Sequence, residues 1–507
     1  MTGRPPSSGP HAGLSARVRA LLAEAAAAYL GRPGYQRIAS VDGHLDAPLR
    51  VAITGRVKAG KSTLLNALVG RRVAATDAGE CTQVVTWYAY GDPPVAWAYP
   101  RSGPRKALML VEGDAAGVLD LGDLRADDLE QLRVDLPNAW LARMTLIDTP
   151  GMGSLSERVA RRTKEFLAAD GEDTGEVDAV LYLLRHLHSS DVDFLEVLHE
   201  TRDSATPINA VGVLSRADEL GGGGSDALDQ AQRVAAGYRQ DARIRSLLHT
   251  VVPVAGLLAE AASTLRDEEY ADLATLAGAS ASATAPMLLS VTRFVAPARA
   301  VDLPPANRQR LLRRLGLYGV RMSLDAFRSD RGSMSRERLG DLLRERSGLA
   351  ELRRLLLTQF AERRDVIKAE SALRVIDSVT RTDPIPAAQR LREQVERLRT
   401  NAHELTEIRL LTELRTGQVP APPDQVAEME RLLGGEGTAT TTRLGLPEDA
   451  TDVDVAAAIA DQHDRWRRVG ANRFTEPALA RAAGVLQRTC EGLAASLDLT
   501  ASGRHGA

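Results

Sequence analysis

The stretch GRVKAGKS at residues 55–62 has the residue types and spacing of a phosphate-binding loop. An apolar run at 49–54 precedes it and a helical pattern at 63–69 follows, so strand, glycine loop and helix come in the required order. The glycines let backbone N–H groups approach phosphate oxygens, Lys61 reaches the β- and γ-phosphates, and the Ser62 hydroxyl is a magnesium ligand. The stretch predicts nucleotide binding by these residues: Gly55, Arg56, Val57, Lys58, Ala59, Gly60, Lys61, Ser62 and Thr63.

A second motif, Asp148-Thr149-Pro150-Gly151, ends an apolar strand pattern at 144–147. A carboxylate at that strand tip, here Asp148, can hold magnesium through water. The Gly151 N–H can contact the γ-phosphate, which would couple the following loop to the state of the nucleotide. The motif therefore predicts the other side of the phosphate site.

A third motif, Ser215-Arg216-Ala217-Asp218, follows the strand pattern at 210–214. The Asp218 carboxylate can accept paired hydrogen bonds from guanine N1–H and the exocyclic amine, a donor pattern that adenine lacks. The alkyl stem of Arg216 can cover the purine. The motif therefore predicts GTP over ATP as the substrate, with GDP as the product.

Two further loops complete the predicted site. Thr82 lies directly before a strand pattern at 83–90, where a threonine can give magnesium a second hydroxyl and orient the attacking water; Thr76 is the alternative. The turn after the last strand pattern is expected to face the guanine carbonyl through the backbone of Ala255 and Gly256. The predicted reaction is phosphoryl transfer from GTP to water, with Lys61 and Mg²⁺ stabilising charge.

The composition of the 507-residue chain limits its partners. The formal net charge is −3, from 64 basic and 67 acidic residues, so no global attraction to nucleic acid or to anionic membrane is expected. The only cysteines, Cys81 and Cys490, are far apart, and no apolar run approaches the ~20 residues of a membrane-spanning helix. We expect a cytoplasmic protein whose membrane contact, at the inner face of the cell membrane, is peripheral.

The hydrophobic pattern divides the chain in two. Strand patterns alternate with helices up to about residue 257, which predicts an α/β domain with a mostly parallel sheet, helices on both faces and hairpin-like additions near 90–136. Helical periodicity then continues to the end, which predicts a long helical neck or stalk bundle. The expected divisions are a disordered tail at 1–13, a helix that packs with the bundle at 14–44, the nucleotide domain at 45–265, the bundle at 266–498 and a disordered tail at 499–507.

The motifs together resemble the dynamin-like GTPases of bacteria. At closer range the sequence is similar to the actinobacterial isoniazid-inducible proteins of the IniA/IniC type, with IniC nearer. The stretches that carry this resemblance are KAGKSTLLNALVG, TDAGECTQVVTWYAYG, VGVLSRADELG, VVPVAGLLA and LLRRLGLYGVRMS. The resemblance implies Mg²⁺-dependent GTP hydrolysis that is coupled to self-association through the GTPase domain and to membrane remodelling or maintenance. It also implies a second dynamin-like protein as an alternative partner.

Two positions depart from the pattern of eukaryotic dynamins. Val57 and Lys58 stand where those proteins carry Gln-Ser, and our hypothesis is that the Lys58 ammonium replaces the cation bound there. Met152, after the second motif, cannot orient water as a glutamine would. GTP turnover without a stimulating partner is therefore expected to be slow. The predicted catalytic residues are Lys61, Thr82, Gly151 and Lys58. The predicted magnesium ligands are Ser62, Thr82 and Asp148.

Two other functions remain open at this point. One is a GTPase for ribosome or RNA assembly, although the helical half has no strong basic excess. The other is a switch or binding module that binds GTP with little turnover. The nearest candidate for an anionic-lipid patch is the basic cluster at 308–314, with arginines at 308, 310, 313 and 314.

Overall fold

The structure is a computed structural model, and it describes residues 12–74, 84–111, 118–121, 123–151, 177–200, 210–297, 301–330 and 333–504. Thr76, Thr82 and Met152 lie outside these residues, so the predictions made for them stay predictions. Among the described residues, no helix is both long enough and apolar enough to cross a bilayer.

A ten-stranded sheet forms the centre of the first half, in the spatial order β10-β9-β8-β1-β7-β2-β6-β3-β4-β5. Strands β10, β9, β8, β1 and β7 run parallel to one another, and the extension beyond β7 is antiparallel except for the β2–β6 pair. The strands are β1 (Leu49–Gly55), β2 (Val85–Tyr90), β3 (Val95–Pro100), β4 (Lys106–Val111), β5 (Val118–Asp120), β6 (Leu129–Leu136), β7 (Met144–Asp148), β8 (Ala179–Leu184), β9 (Ala210–Ser215) and β10 (Val251–Val254).

Both faces of this sheet are covered. Alternate residues of one strand enter two separate apolar clusters: Leu181 and Leu183 of β8 pack on one face, and Val180 and Tyr182 pack on the other. Strands buried on both faces are expected to be apolar throughout, as β8 and β9 are. The predicted α/β architecture with a mostly parallel sheet is therefore confirmed.

Helices make up most of the remaining described chain. They are Ala12–Ala28, Gly34–Asp46, Lys61–Val69, Ser189–Glu200, Ala227–Gln240, Ala242–Leu247, Gly256–Thr264, Asp267–Gly278, Ala281–Thr284, Val291–Val295, Pro305–Ser329, Arg336–Arg346, Leu349–Leu355, Arg364–Thr382, Ala388–Asn401, His403–Arg415, Pro423–Leu432, Thr440–Leu444, Asp452–Ala471 and Pro477–Arg504. The last helix extends past residue 498, where the sequence analysis ended the bundle, and the first begins at Ala12.

The two N-terminal helices pack with helices from the second half of the chain. Leu22 and Ile38 share one buried cluster with Leu373 and Leu391. The Tyr29 hydroxyl donates to the carbonyl of Asp383 at 2.8 Å. The two N-terminal helices are therefore part of one helical bundle with these later helices.

The topology brings the sequence motifs to one edge of the sheet. Strands β1, β7, β9 and β10 are parallel, so their carboxyl ends, which carry Gly55, Asp148, Ser215 and Val254, lie on the same side. Ligands of open parallel sheets bind beyond the carboxyl ends of the strands. The helix Lys61–Val69 begins at this edge.

Candidate active site

The phosphate loop is shaped by backbone that a side chain would obstruct. Gly55 has φ 145°, and a Cβ there would lie 2.5 Å from the Leu183 carbonyl oxygen of the neighbouring strand. Gly60, with φ 94°, precedes the first turn of helix Lys61–Val69. The N–H groups at the start of that helix point toward the loop, which makes a binding site for an anion.

Lys61 and Gly151 meet at the phosphate end of the site. The Lys61 ammonium lies 3.4 Å from the carbonyl oxygens of both Gly55 and Arg56, so it is folded over the loop. Burial lowers its pKa, against the opposing charge of Asp148. A Cβ at Gly151 would lie 3.0 Å from the Lys61 ammonium and 2.8 Å from Val57 Cγ2, so this position has no room for a side chain.

Asp148 and Ser62 face each other across the same space. The Ser62 hydroxyl lies 3.3 Å from Asp148 Oδ2, within hydrogen-bond distance. Burial raises the Asp148 pKa to about 6, although Lys61 and the Ser62 hydroxyl act to lower it. Among the described residues, nothing donates a hydrogen bond to the buried Oδ1 of Asp148. An unpartnered carboxylate oxygen beside a hydroxyl fits a hard divalent cation such as Mg²⁺.

The base end of the site is built from the loop after β9. Ser215 is held by its hydroxyl, which donates to the Leu184 carbonyl at 3.1 Å. Arg216 has left-handed backbone, φ 53°, and its guanidinium donates to the Lys58 carbonyl at 3.1 Å and to Glu219 at 2.7 Å. Asp218 is only 5% exposed, and burial raises its pKa to about 6.

A cavity of about 110 Å³ connects the two ends. Gly60 and Thr63 line it on the phosphate side, and Ser215, Arg216 and Asp218 line it on the base side. The structure therefore brings residues of the first and third motifs to one cavity. The second motif adjoins it through the contacts of Lys61 and Ser62 described above.

Of three further predicted residues, Ala255 is placed differently from the expectation, while the roles predicted for Lys58 and Thr82 stay predictions. The N–H of Ala255 donates to the Ser347 carbonyl at 2.9 Å, so it is not free to face guanine, whereas Gly256 lines the cavity. The Lys58 side chain is exposed, and its backbone is left-handed with φ 62°. Thr82 lies outside the described residues.

The basic cluster at 308–314 is not a lipid patch, which corrects the sequence analysis. Arg308 is 1% exposed and donates to the carbonyls of Leu303 and Phe294. Arg314 is also buried, and Arg310 is paired with Asp272 at 2.7 Å. Guanidinium groups that already bind protein acceptors cannot present a charged face to lipid.

The sequence analysis missed two features. Gly316 lies beside Asp218, and a Cβ there would be 3.0 Å from Asp218 Oδ2. Phe474, in the turn between the last two helices, is 96% exposed. The isolated aromatic residue in the break GANRFT is a sequence signal for the second feature, but no local signal marks the first.

Comparison with known proteins gives a consistent result. A family model described as "50S ribosome-binding GTPase" matches residues 50–212. The isoniazid-induced protein IniC of Mycobacterium tuberculosis, in strains CDC 1551 / Oshkosh and ATCC 25618 / H37Rv, is 37% identical over 494 residues, which cover 96% of this chain and 99% of that protein. The isoniazid-induced protein IniA of strain CDC 1551 / Oshkosh is 33% identical over 128 residues, 22% of this chain and 18% of its own.

Two solved structures of an oligomerised bacterial dynamin pair align with 96% of this chain and 75% of theirs, at 13% identity. Their TM-scores of 0.28 and 0.30 are too low to establish a common fold. The family model places a GTPase domain, and with it guanine nucleotide binding, on the strands that carry the site. The similarity to IniC spans nearly the whole of both chains, and this chain therefore belongs to the family of the isoniazid-induced protein IniC.

Proposed function

We propose that this protein hydrolyses GTP with Mg²⁺ at the cavity beyond the carboxyl ends of β1, β7 and β9. The observation that carries the proposal is that the Lys61 ammonium, Gly151 and an Asp148 oxygen with no hydrogen-bond partner among the described residues lie around one space. Phosphoryl transfer requires a cation, a carboxylate that binds the metal, and a backbone N–H that can come close to the γ-phosphate.

Each residue of the site has a definite task in this reaction. Lys61 neutralises charge on the transferred phosphoryl group, and its burial strengthens that interaction. The backbone of Gly151 approaches the γ-phosphate, and the Asp218 carboxylate holds guanine by two hydrogen bonds. Ser62 and Asp148, with Thr82 as a further candidate, would hold the Mg²⁺ ion, which when bound neutralises charge between the β- and γ-phosphates.

Phosphate release from GTP and from ATP tests this function. We expect release from GTP alone, abolished by Lys61→Ala, which removes the cation without introducing a larger side chain. Tight GTP binding with no release at any protein concentration would instead support the switch module. Stimulation by ribosomes or RNA would support the assembly factor; the description of the matching family model names ribosome binding for its own members.

We also propose that GTP turnover is coupled to self-association through the GTPase domain and to peripheral membrane contact. Arg56 and Lys58 are exposed beside the phosphate loop, and Val57 between them is 43% exposed, which supports a protein contact at this edge. Turnover per molecule that rises with protein concentration, together with a GTP-dependent dimer in light scattering, is the expected result. A second dynamin-like protein, which the resemblance described in the sequence analysis implies, is the alternative partner.

The tip of the last helical hairpin supports membrane contact. Phe474 projects from the turn between Asp452–Ala471 and Pro477–Arg504, and Arg468 and Arg473 are exposed beside it. An exposed aromatic ring flanked by cations suits the boundary between anionic headgroups and acyl chains. This surface, which we call the hairpin tip (residues 468–476), replaces the basic cluster at 308–314 as the candidate lipid contact.

A further inference from the structure

The segment Pro305–Ser329 consists of two helices that meet at a bend at Gly316, whose φ of 68° and ψ of 176° are not helical. This backbone region is essentially restricted to glycine, so any other residue at this position would be strained. The bend is not a loose surface feature, because Leu315 and Tyr318 on either side of it are buried. The reason for a glycine at this position must therefore be sought in what the bend contacts.

The bend faces the base end of the nucleotide cavity. A Cβ at Gly316 would lie 3.0 Å from Asp218 Oδ2 and 3.7 Å from Leu257 Cδ1, and both of those residues line the cavity. A Cβ at Gly223, in the same loop as Asp218, would lie 3.9 Å from the Tyr318 backbone nitrogen. Gly316 and Tyr318 therefore both lie close to the loop that carries Asp218.

Arg314 anchors the helix immediately before the bend. Its guanidinium donates to the buried carboxylates of Glu260 at 3.0 Å and Glu269 at 2.8 Å, and to the Thr264 carbonyl at 2.9 Å. Glu260 belongs to the helix that begins at Gly256, which is itself in the cavity wall. Hydrogen bonds to two carboxylates fix the position of the Arg314 guanidinium. Arg314 therefore fixes the bend relative to the helix that forms part of the cavity wall.

We propose that Gly316 is a positioning residue for guanine recognition: the bend leaves space for the Asp218 carboxylate and holds it in line with the guanine edge. A side chain at this position would press on Oδ2 and turn the carboxylate away from the base. The inference rests on the proposed function in one respect, that Asp218 binds guanine. Its consequence is that base binding and the bend of a helix 98 positions further along the chain are coupled.

The test compares the affinities of GTP and inosine triphosphate (ITP), which lacks the 2-amino group, for Gly316→Ala. ITP makes one hydrogen bond fewer to the carboxylate, so a turned Asp218 costs GTP more than it costs ITP. We expect the preference for GTP over ITP to fall about tenfold. The control is Gly237→Ala, which fills a helical position where a Cβ meets nothing within 4 Å and should keep the wild-type preference.

Equal losses for GTP and ITP, or no loss, would show that Gly316 is merely structural and would overturn the inference. Asp218→Asn separates this result from a failure of the proposed function. If Asp218→Asn keeps the wild-type preference, Asp218 does not read guanine and the proposed function itself is wrong at this residue.

Hydrogen exchange keeps the inference testable if Gly316→Ala does not fold. Saturating GDP should slow amide exchange at residues 314–320 in the wild-type protein and leave it unchanged in Asp218→Asn. Equal protection in both proteins, or none in either, contradicts the coupling.

Discussion

Gly151 has no room for a side chain where it meets the phosphate loop, because a Cβ would lie 3.0 Å from the Lys61 ammonium. We predict that Gly151→Ala lowers GTP turnover about 100-fold, since it displaces the cation that stabilises the transferred group. GDP binding should change less than turnover, because GDP has no γ-phosphate to approach this residue and loses at most the Lys61 contact to its β-phosphate.

Phosphate release and GDP titration of the same preparations check this prediction. The matched control is Gly43→Ala, a helical glycine far from the site where a Cβ meets nothing within 4 Å. Turnover of Gly151→Ala within threefold of wild type would contradict it.

Asp148 makes the effect of Mg²⁺ depend on pH. Burial raises its pKa to about 6, and only the ionised carboxylate binds the metal, so protons compete with Mg²⁺ below that pH. We predict that the ratio of GTP affinity in Mg²⁺ to that in EDTA is constant above pH 7 and falls about tenfold per unit below pH 6. The ratio cancels the titration of Asp218, which acts with or without metal. A flat ratio from pH 5 to 8 would exclude Asp148 as the ligand.

The residues predicted from the sequence are those whose chemistry is set by local spacing. Lys61, Asp148 and Asp218 each follow a strand in a motif, and parallel strands bring such ends together. Gly316 could not be predicted, because its contact with Asp218 depends on the fold of the residues between them. The same holds for Ala255, whose N–H is taken by the carbonyl of Ser347 from a later helix.

At the scale of elements, strand positions were predicted well and helix ends less well. Continuous apolar runs such as 179–184 identify buried strands, whereas the three-residue β5 is too short for a periodic signal. The segment Pro305–Ser329 is interrupted at Gly316, where φ of 68° and ψ of 176° are not helical, so two helices meet there at a kink. Glycine in the middle of a helical pattern is ambiguous between an end and a bend, and only tertiary contacts decide between them.

One buried cluster joins the sheet to the helical bundle. Asp178, directly before β8, accepts from Lys368 at 2.7 Å and from the Arg50 N–H at 2.7 Å, and lies 3.0 Å from His44 Nε2. Burial alone would raise the Asp178 pKa, but hydrogen bonds and charge from His44 and Lys368 hold it at about 2. A depressed carboxyl pKa adds stability above its unfolded value near 4, and that stability is lost as pH falls toward 2.

We predict that Lys368→Met lowers the free energy of unfolding by about 3–5 kcal/mol, because it leaves Asp178 buried without its cation. The double variant Lys368→Met/Asp178→Asn should be less destabilised than the single one, since no buried charge is left. Urea unfolding followed by circular dichroism measures both. Lys106→Met, at an exposed lysine, is the control, and a single variant as stable as that control would contradict the prediction.

At the scale of the whole molecule, the hairpin tip is the surface that we propose for lipid contact. We predict that Phe474→Ser weakens binding to phosphatidylglycerol vesicles about tenfold, because the ring's burial in the interface is lost. Val453→Ser is the matched control: Val453 is 77% exposed at the other end of the same hairpin. Vesicle sedimentation checks the pair, and equal binding by both variants would remove the hairpin tip as the lipid contact.

The contact between Tyr29 and Asp383, which are 354 positions apart, has a consequence for synthesis on the ribosome. The first two helices leave the ribosome early, but many of their apolar partners, in Arg364–Thr382 and Ala388–Asn401, are translated much later. At about 5–20 residues per second, the N-terminal stripe stays uncovered for roughly 20–70 seconds. We therefore expect the nascent chain to bind chaperones that hold exposed apolar helices. Removing the two N-terminal helices should reduce the need for such chaperones, but it would expose the apolar residues of the later helices that they cover.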